Sequence, residues 1–374
     1  MSLQDGASAD SAEPENEYAD IEFPCDSCGA NMAWNPNQGA LACEYCGHTQ
    51  LVECGEGVIL ERALDDSDGA ARGLGLELRV MRCDTCGARV SFEGSITADA
   101  CVYCGSPKVL AQDANRNALR PESLVPLDVG RDQVEKAFRK WLKGLWFRPN
   151  AIKKVKKSGA VGVYVPFWTF DADVHSDWSA DSGTYYYVTE TYTTTVNGKR
   201  TTRTRQVRKT RWRPAWGSRN DHFNDFLVLG SSGQPGQLVT ELGGFDLKEL
   251  VPYKPQYLAG WRAEEYSIDL EQAWTSGQSG MVEVQRQRCS GDVPGDTQRN
   301  LRVQNTIGNV RWKHILLPIW SVQYRFGGKL YTVLVHGQSG KVVGKAPYSW
   351  VKILGLVLLI AGIAGAAVVI GGQA

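Results

Sequence analysis

Three features of this chain predict an α+β fold with small cysteine-rich modules at its start and a membrane-spanning helix at its end. A four-cysteine pattern occurs twice within the first 104 residues. Alternating apolar runs, one of them duplicated, fill the middle. An uncharged apolar stretch, Ile353 to Gly372, lies near the C-terminus. In order, the chain divides into an acidic disordered tail (1–22), a first ribbon (23–50), a linker with a strand (51–80), a second ribbon (81–108), a linker (109–125), an α+β domain with two related sheet lobes (126–348) and a transmembrane helix (351–372).

The cysteines come as Cys-x-x-Cys-Gly knuckles. Cys25 and Cys28 are followed, after fourteen intervening residues, by Cys43 and Cys46; Cys83 and Cys86 are followed at the same interval by Cys101 and Cys104. The second set repeats the first 58 positions later, and Asp26/Asp84, Ala30/Ala88 and Tyr45/Tyr103 repeat with it. A tight Cys-x-x-Cys turn sets two thiolates on one side of a metal, and the following Gly supplies the positive φ that the turn needs. Each pair of knuckles completes a tetrahedral shell of four thiolates. The cofactors expected are therefore two structural zinc ions. Disulfides need an oxidising compartment, and residues 1–22 show no basic and apolar secretory leader. Cys54 and Cys289 are left over and read most simply as free thiols, with Cys54 or His48 as the alternative of a spare ligand.

Charge is distributed unevenly. Residues 1–110 hold nineteen Asp/Glu and six Lys/Arg, and no Lys or Arg precedes Arg62. Each zinc tetrathiolate adds a further two negative charges. Nucleic-acid-binding ribbons show a basic footprint, because phosphate contacts dominate their affinity. These ribbons lack one, so protein contact is the reading favoured for them. Leu74, Leu76, Leu78 and Val80 alternate with more polar residues and predict a strand leading into the second ribbon.

The central domain opens with a helix, since Val134, Phe138, Trp141, Leu142 and Leu145 recur at helical spacing before Pro149. Strands follow at Val161–Phe170 and Thr184–Val196, and Asn197-Gly198 marks a two-residue hairpin turn. That turn places Glu190 opposite Arg205 and Val188 opposite Val207. The returning strand, Lys199 to Arg213, has eight Lys/Arg and no acid. Lys199, Arg200, Arg203, Arg208, Arg211 and Arg213 are the candidates for contact with an anionic surface. A solvated charged edge, anionic lipid and nucleic acid are three readings of them.

Val163-Tyr-Val-Pro166-Phe-Trp168-Thr169 is echoed by Ile315-Leu-Leu-Pro318-Ile-Trp320-Ser321. Proline removes one ladder donor, which predicts edge or bulge positions. A helix around Leu270, Ala273 and Trp274, capped by Ser267 or Asp269, separates the copies. Asp171, Asp173, His175 and Asp177 fall on one strand face. They are a candidate cation or proton-transfer site, against the plainer reading of a solvated face. No phosphate loop, nucleophile elbow or His-Glu-x-x-His motif occurs, and the chain is not expected to be an enzyme.

Ile353 to Gly372 would form a helix of about 30 Å, the thickness of a bilayer core. Lys341, Lys345, Lys352 and Trp350 precede it, which predicts a single C-terminal span in the cytoplasmic membrane with the ribbons in the cytoplasm.

The knuckles, together with Lys140-Trp-Leu142, Leu145-Trp-Phe-Arg-Pro149, Gly162-Val-Tyr-Val-Pro-Phe-Trp168, Val251-Pro-Tyr253, Tyr257-Leu-Ala-Gly260, Leu317-Pro-Ile-Trp320 and Gly337-Gln-Ser-Gly-Lys-Val342, resemble the membrane-anchored bacterial double-zinc-ribbon proteins. Their ribbons are often labelled TFIIB-type or "primosomal helicase-like". The resemblance covers nearly the whole chain apart from the acidic tail. It implies a partner similar to phage-shock protein A, an ESCRT-III-like membrane remodeller of envelope stress, which some relatives help to recruit. The chain departs from the pattern in lacking Pro inside its knuckles and in having one span. The expected function is a tail-anchored zinc-ribbon adaptor for protein partners; the alternative is a membrane-tethered nucleic-acid binder.

Overall fold

The structure is a computed structural model that describes residues 23–52, 59–67, 69–74, 78–93, 100–113, 115, 117–155, 157–196, 199–232 and 235–371. The acidic tail, Cys54, residues 75–77 of the linker strand and the Asn197-Gly198 turn lie outside the described residues. The first ribbon contains β1 (Ala33–Asn35), β2 (Ala40–Ala42) and β3 (Thr49–Gln50), which form a small sheet of their own. After β4 (Arg62–Ala63), the second ribbon contributes β5 (Leu78–Cys83), β6 (Arg89–Glu93) and β7 (Val109–Asp113). The central domain adds β8 (Ser123–Leu124), α1 (Arg131–Gly144), β9 (Lys157–Val196), β10 (Lys199–Leu229), α2 (Pro235–Leu242), β11 (Val251–Pro252) and β12 (Arg262–Glu264). It ends with α3 (Leu270–Asp292), β13 (Thr297–Phe326), β14 (Lys329–His336) and β15 (Val342–Gly344), before α4 (Trp350–Gly371). All of β4 to β15 join one sheet.

The two strands expected at 161–170 and 184–196 are parts of the single strand β9, 40 residues long. Alternation continues through the segment between them. Ala172, Val174, Trp178 and Ala180 are buried, while Asp173, His175, Asp177 and Ser179 face solvent. Helix α1 buries Val134, Phe138 and Leu142, one side chain per turn. Of the two candidate caps for α3, Asp269 is used: its carboxylate accepts the Gln272 N–H at 2.8 Å.

The duplicated motif has a structural meaning. β8, α1, β9 and β10 form one strand–helix–strand–strand unit, and β12, α3, β13 and β14 form another. The long strands β9 and β13 lie antiparallel, with Val165 opposite Leu317. The short strand of each unit pairs in parallel with the long strand of the other: β12 beside Val163 and Tyr164, β8 beside Ile315 and Leu316. These are equivalent positions in the repeat. The units are thus interlocked rather than placed side by side.

Pro166 and Pro318 correct the expectation of edge or bulge positions. Both lie in central strands, where the neighbouring strand changes. Beside β9, pairing passes from β12 at Tyr164 to β10 at Phe167; beside β13, it passes from β8 at Leu316 to β14 at Ile319. Each proline therefore falls in the gap between partners, and its carbonyl accepts a glycine N–H, from Gly230 at 2.9 Å and from Gly337 at 3.0 Å.

Near this crossing the long strands are buried on both faces. Tyr164, Leu316, Trp320 and Tyr324 share a core with the first ribbon and α1. Val163, Val165, Leu317 and Ile319 share a core with the second ribbon and α2. Successive side chains alternate between faces, so the two ribbons sit on opposite faces of the sheet.

The expected membrane span is overturned. Among the described residues, no helix is long and apolar enough to cross a membrane. Side chains of α4 are described from Trp350 to Ile363. Lys352, in its first turn, reaches back to the central domain, where its Nζ donates to the Trp146 carbonyl at 3.0 Å and to Asn150 Oδ1 at 2.8 Å. The C-terminal span at 351–372, and the membrane location derived from it, are therefore withdrawn.

Candidate metal centres

Four knuckles of one design bring the eight cysteines together. In each, the first cysteine's N–H donates to a carbonyl five residues on, and its own carbonyl accepts the glycine N–H. Cys25 and Gly29, Cys43 and Gly47, Cys83 and Gly87, and Cys101 and Gly105 all follow this rule at 2.8–2.9 Å. The four glycines have φ between 67° and 78°, a conformation that other residues adopt only with strain.

Within each tetrad the four sulfurs lie within 4.8 Å of one another. Sγ–Sγ separations are 3.5 Å for Cys25–Cys46, 3.6 Å for Cys28–Cys43, 3.5 Å for Cys83–Cys104 and 3.6 Å for Cys86–Cys101. A tetrahedron with zinc–sulfur bonds of about 2.3 Å has edges of about 3.8 Å, so the spacing fits a zinc ion. It is far too long for a disulfide, and all eight thiols are free. Metals bind the thiolate, and each tetrad holds one thiol partway to that form. The hydrogen bond from Cys86 draws Cys101 down to about 5, and the backbone N–H of Cys46 draws Cys43 down to about 7. Each tetrad can hold a structural zinc ion.

The two centres differ in their surroundings. The second is built into the sheet: β6 pairs with β12, and Arg89 pairs with Glu265 at 2.9 Å. Tyr103, 2% exposed, donates its hydroxyl to Glu264 at 2.8 Å, and Ser231 donates to the other oxygen of the same carboxylate at 2.5 Å. Burial drives the Glu264 carboxyl up to about 7. Ser321 and Gln323 of β13 donate to carbonyls of the knuckle at Cys101 and Val102. The first ribbon packs Cys25, Met32 and Cys43 into the core and hydrogen-bonds to the central domain through its hairpin end. Trp34 Nε1 donates to the Leu127 carbonyl at 3.2 Å, and Trp261 Nε1 donates to the Trp34 carbonyl at 2.9 Å. The second cysteine of each knuckle faces outward: Cys28 and Cys46 are exposed while Cys25 and Cys43 are buried, and Tyr45 and Leu51 are 86% and 78% exposed.

The basic hairpin has the register that its turn predicts, with Val196 opposite Lys199, Glu190 opposite Arg205 and Val188 opposite Val207. Glu190 pairs with Arg205 at 3.3 Å and with Lys209 at 3.2 Å. The candidate residues divide between faces: Arg203, Arg211 and Arg213 lie on one side, Arg200 and Arg208 on the other.

The Asp171–Asp177 row keeps its common face, but each member is held by a neighbour. Asp173 pairs with His222 at 2.8 Å and accepts from Asn309 at 2.7 Å; His175 meets Asn220 at 2.6 Å and Asp177 at 3.4 Å. Among the described residues, the metal-type clusters are the two cysteine tetrads. Asp171 instead joins a polar cluster absent from the sequence analysis. Lys313, buried, pairs with Glu61 at 2.9 Å and with Asp225 at 2.7 Å. The Asp225 N–H, at a bulge in β10 with φ 54°, donates to Asp171 at 2.6 Å. The only sequence signal was a lysine amid the apolar residues of β13.

The chain is similar to the "Uncharacterized protein YdjG" of Bacillus subtilis (strain 168). The two are 28% identical over 336 residues, which cover 89% of this chain and 92% of that protein. No protein-family profile matches the chain, and no solved structure matches it.

Proposed function

We propose that the chain is a zinc-ribbon adaptor in which the second ribbon braces the interlocked sheet and the first ribbon is presented to a protein partner. The contrast between the counterparts Tyr45 and Tyr103 supports this most. The same residue of the same knuckle is 86% exposed in one copy and 2% exposed in the other. An exposed aromatic ring and an exposed apolar side chain on one small ribbon are the composition of an interface anchor. The first ribbon offers no basic residue for phosphate, which weighs against nucleic acid as its ligand. The partner put first is one similar to phage-shock protein A, on the strength of the resemblance described for the sequence. No catalytic residue is assigned, and the helicase label finds no nucleotide-binding motif to rest on.

Capture of a purified phage-shock protein A-like protein by the immobilised full chain tests the reading. Tyr45→Ala with Leu51→Ala should weaken capture about tenfold, the loss expected of one interface anchor, with zinc content unchanged. Equal capture by the variant and the parent would rule out the first ribbon as the contact surface.

A further inference from the structure

The first residue of β13, Thr297, pairs with Gly183; beyond it β9 and β10 continue alone as a two-stranded arm, Thr184 to Arg211. The arm is about 40 Å long at roughly 3.3 Å per residue. Its described side chains are exposed or half-buried on both faces. An isolated two-stranded hairpin is marginal in water, so this arm gains from an occupant. The pairing assigns its faces. Arg203, Arg205, Lys209 and Arg211 share one face with Tyr186, Tyr192 and Glu190, whereas on the reverse Arg200 lies among threonines and Arg208 lies opposite Tyr187, 4.2 Å from the centre of the Tyr185 ring. Glu190 partly neutralises Arg205 and Lys209. Arg203 and Arg211 have no carboxylate partner among the described residues, and Arg211 lies 5.4 Å from the centre of the Tyr186 ring.

The matching charge is in the same chain. Residues 1–22 hold seven Asp/Glu and no Lys or Arg. We infer that this acidic segment docks on the basic face of the arm of a second copy, so that copies associate through reciprocal or head-to-tail exchange of their tails. Reach weighs against the same copy. Asp5 extends at most about 60 Å from Phe23. Phe23 packs in the core that contains Tyr164 of β9, and the strand from Tyr164 to Tyr186 and on to Tyr192 covers about 70 to 90 Å. Measured along the strand, the path to its own arm is longer than the tail, which favours the arm of a second copy.

Sedimentation velocity of the full chain tests this. At low salt it should associate in a concentration-dependent way, and high salt should disperse it, as screening requires. Deletion of residues 2–22 should leave a monomer, and so should Arg203→Gln/Lys209→Gln/Arg211→Gln, each with its zinc content intact. An equimolar mixture of these two variants should form a heterodimer, because one retains the arm and the other the tail. Arg200→Gln/Arg208→Gln, on the reverse face, should associate like the parent. The inference is overturned if either interface variant sediments like the parent, or if the mixture fails to associate. It is also overturned if the triple variant loses only binding to duplex DNA or to phosphatidylserine vesicles while the tail deletion changes nothing.

Discussion

Val165 pairs with Leu317, and each is the other's counterpart in the internal repeat. A residue that faces its own equivalent across an antiparallel pair lies on a local two-fold axis. The flanking contacts obey that axis. Trp168 Nε1 donates to the Ile268 carbonyl just before α3, at 2.9 Å; Trp320 Nε1 donates to the Val129 carbonyl just before α1, at 2.8 Å. Each tryptophan thus holds the helix entry of the other unit.

This reciprocity makes a symmetric prediction. Trp320→Phe leaves a buried carbonyl, and Trp168→Phe a half-buried one, without its donor, at a cost of about 1–3 kcal/mol. The two losses should be similar. Chemical denaturation should still give one transition for the sheet in either variant, because neither unit keeps its core without the other.

The glycines beside the two prolines should not be equally tolerant. A Cβ on Gly337 would overlap the Pro318 carbonyl oxygen, whereas one on Gly230 would meet that of Pro166 at 3.0 Å. Gly337→Ala should therefore lower the melting temperature more than Gly230→Ala, as thermal melts of the two variants can check.

Two buried histidines predict a pH effect. Burial lowers His314 and His336 to about 4, and both rings are stacked, on Trp168 and Phe245. The unfolded chain takes up these protons near pH 6.5, before the folded protein does. Stability should therefore fall as pH drops from about 6.5 to about 4. His336→Gln removes one of the groups, so its melting temperature should decline less steeply across that window than the parent's.

The ribbons were legible because a Cys-x-x-Cys-Gly knuckle is a local device, written in five consecutive residues, and its duplication fixed the ligand sets. The hairpin register was legible for the same reason, since Asn197-Gly198 sets it. Continuity of β9 was missed because its middle alternates small and polar residues, Ala172 and Ser176 among them, without a strong apolar signal. Exchange of β8 and β12 between units could not be read, because two short strands show no preference for a partner. The unequal burial of Tyr45 and Tyr103 depends on Glu264, 161 residues from Tyr103, so identical knuckles gave no hint of it. The apolar run after Lys352 was read as a span on composition alone, and no helix among the described residues is long and apolar enough to cross a membrane.

The central claim is that two like zinc centres have unlike roles, one presented and one bracing. Zinc content and thermal melts of Cys46→Ser and Cys104→Ser test it together. The parent should contain two zinc ions, and each variant should lose one. Cys104→Ser should also lower the melting temperature of the sheet markedly, because its ribbon shares a core with Val165 and Leu317. Cys46→Ser should lower that transition much less, since Cys28 and Cys46 of its centre are exposed and only Cys25 and Cys43 pack in the core. Equal destabilisation by the two variants, or a parent without two zinc ions, would contradict the account.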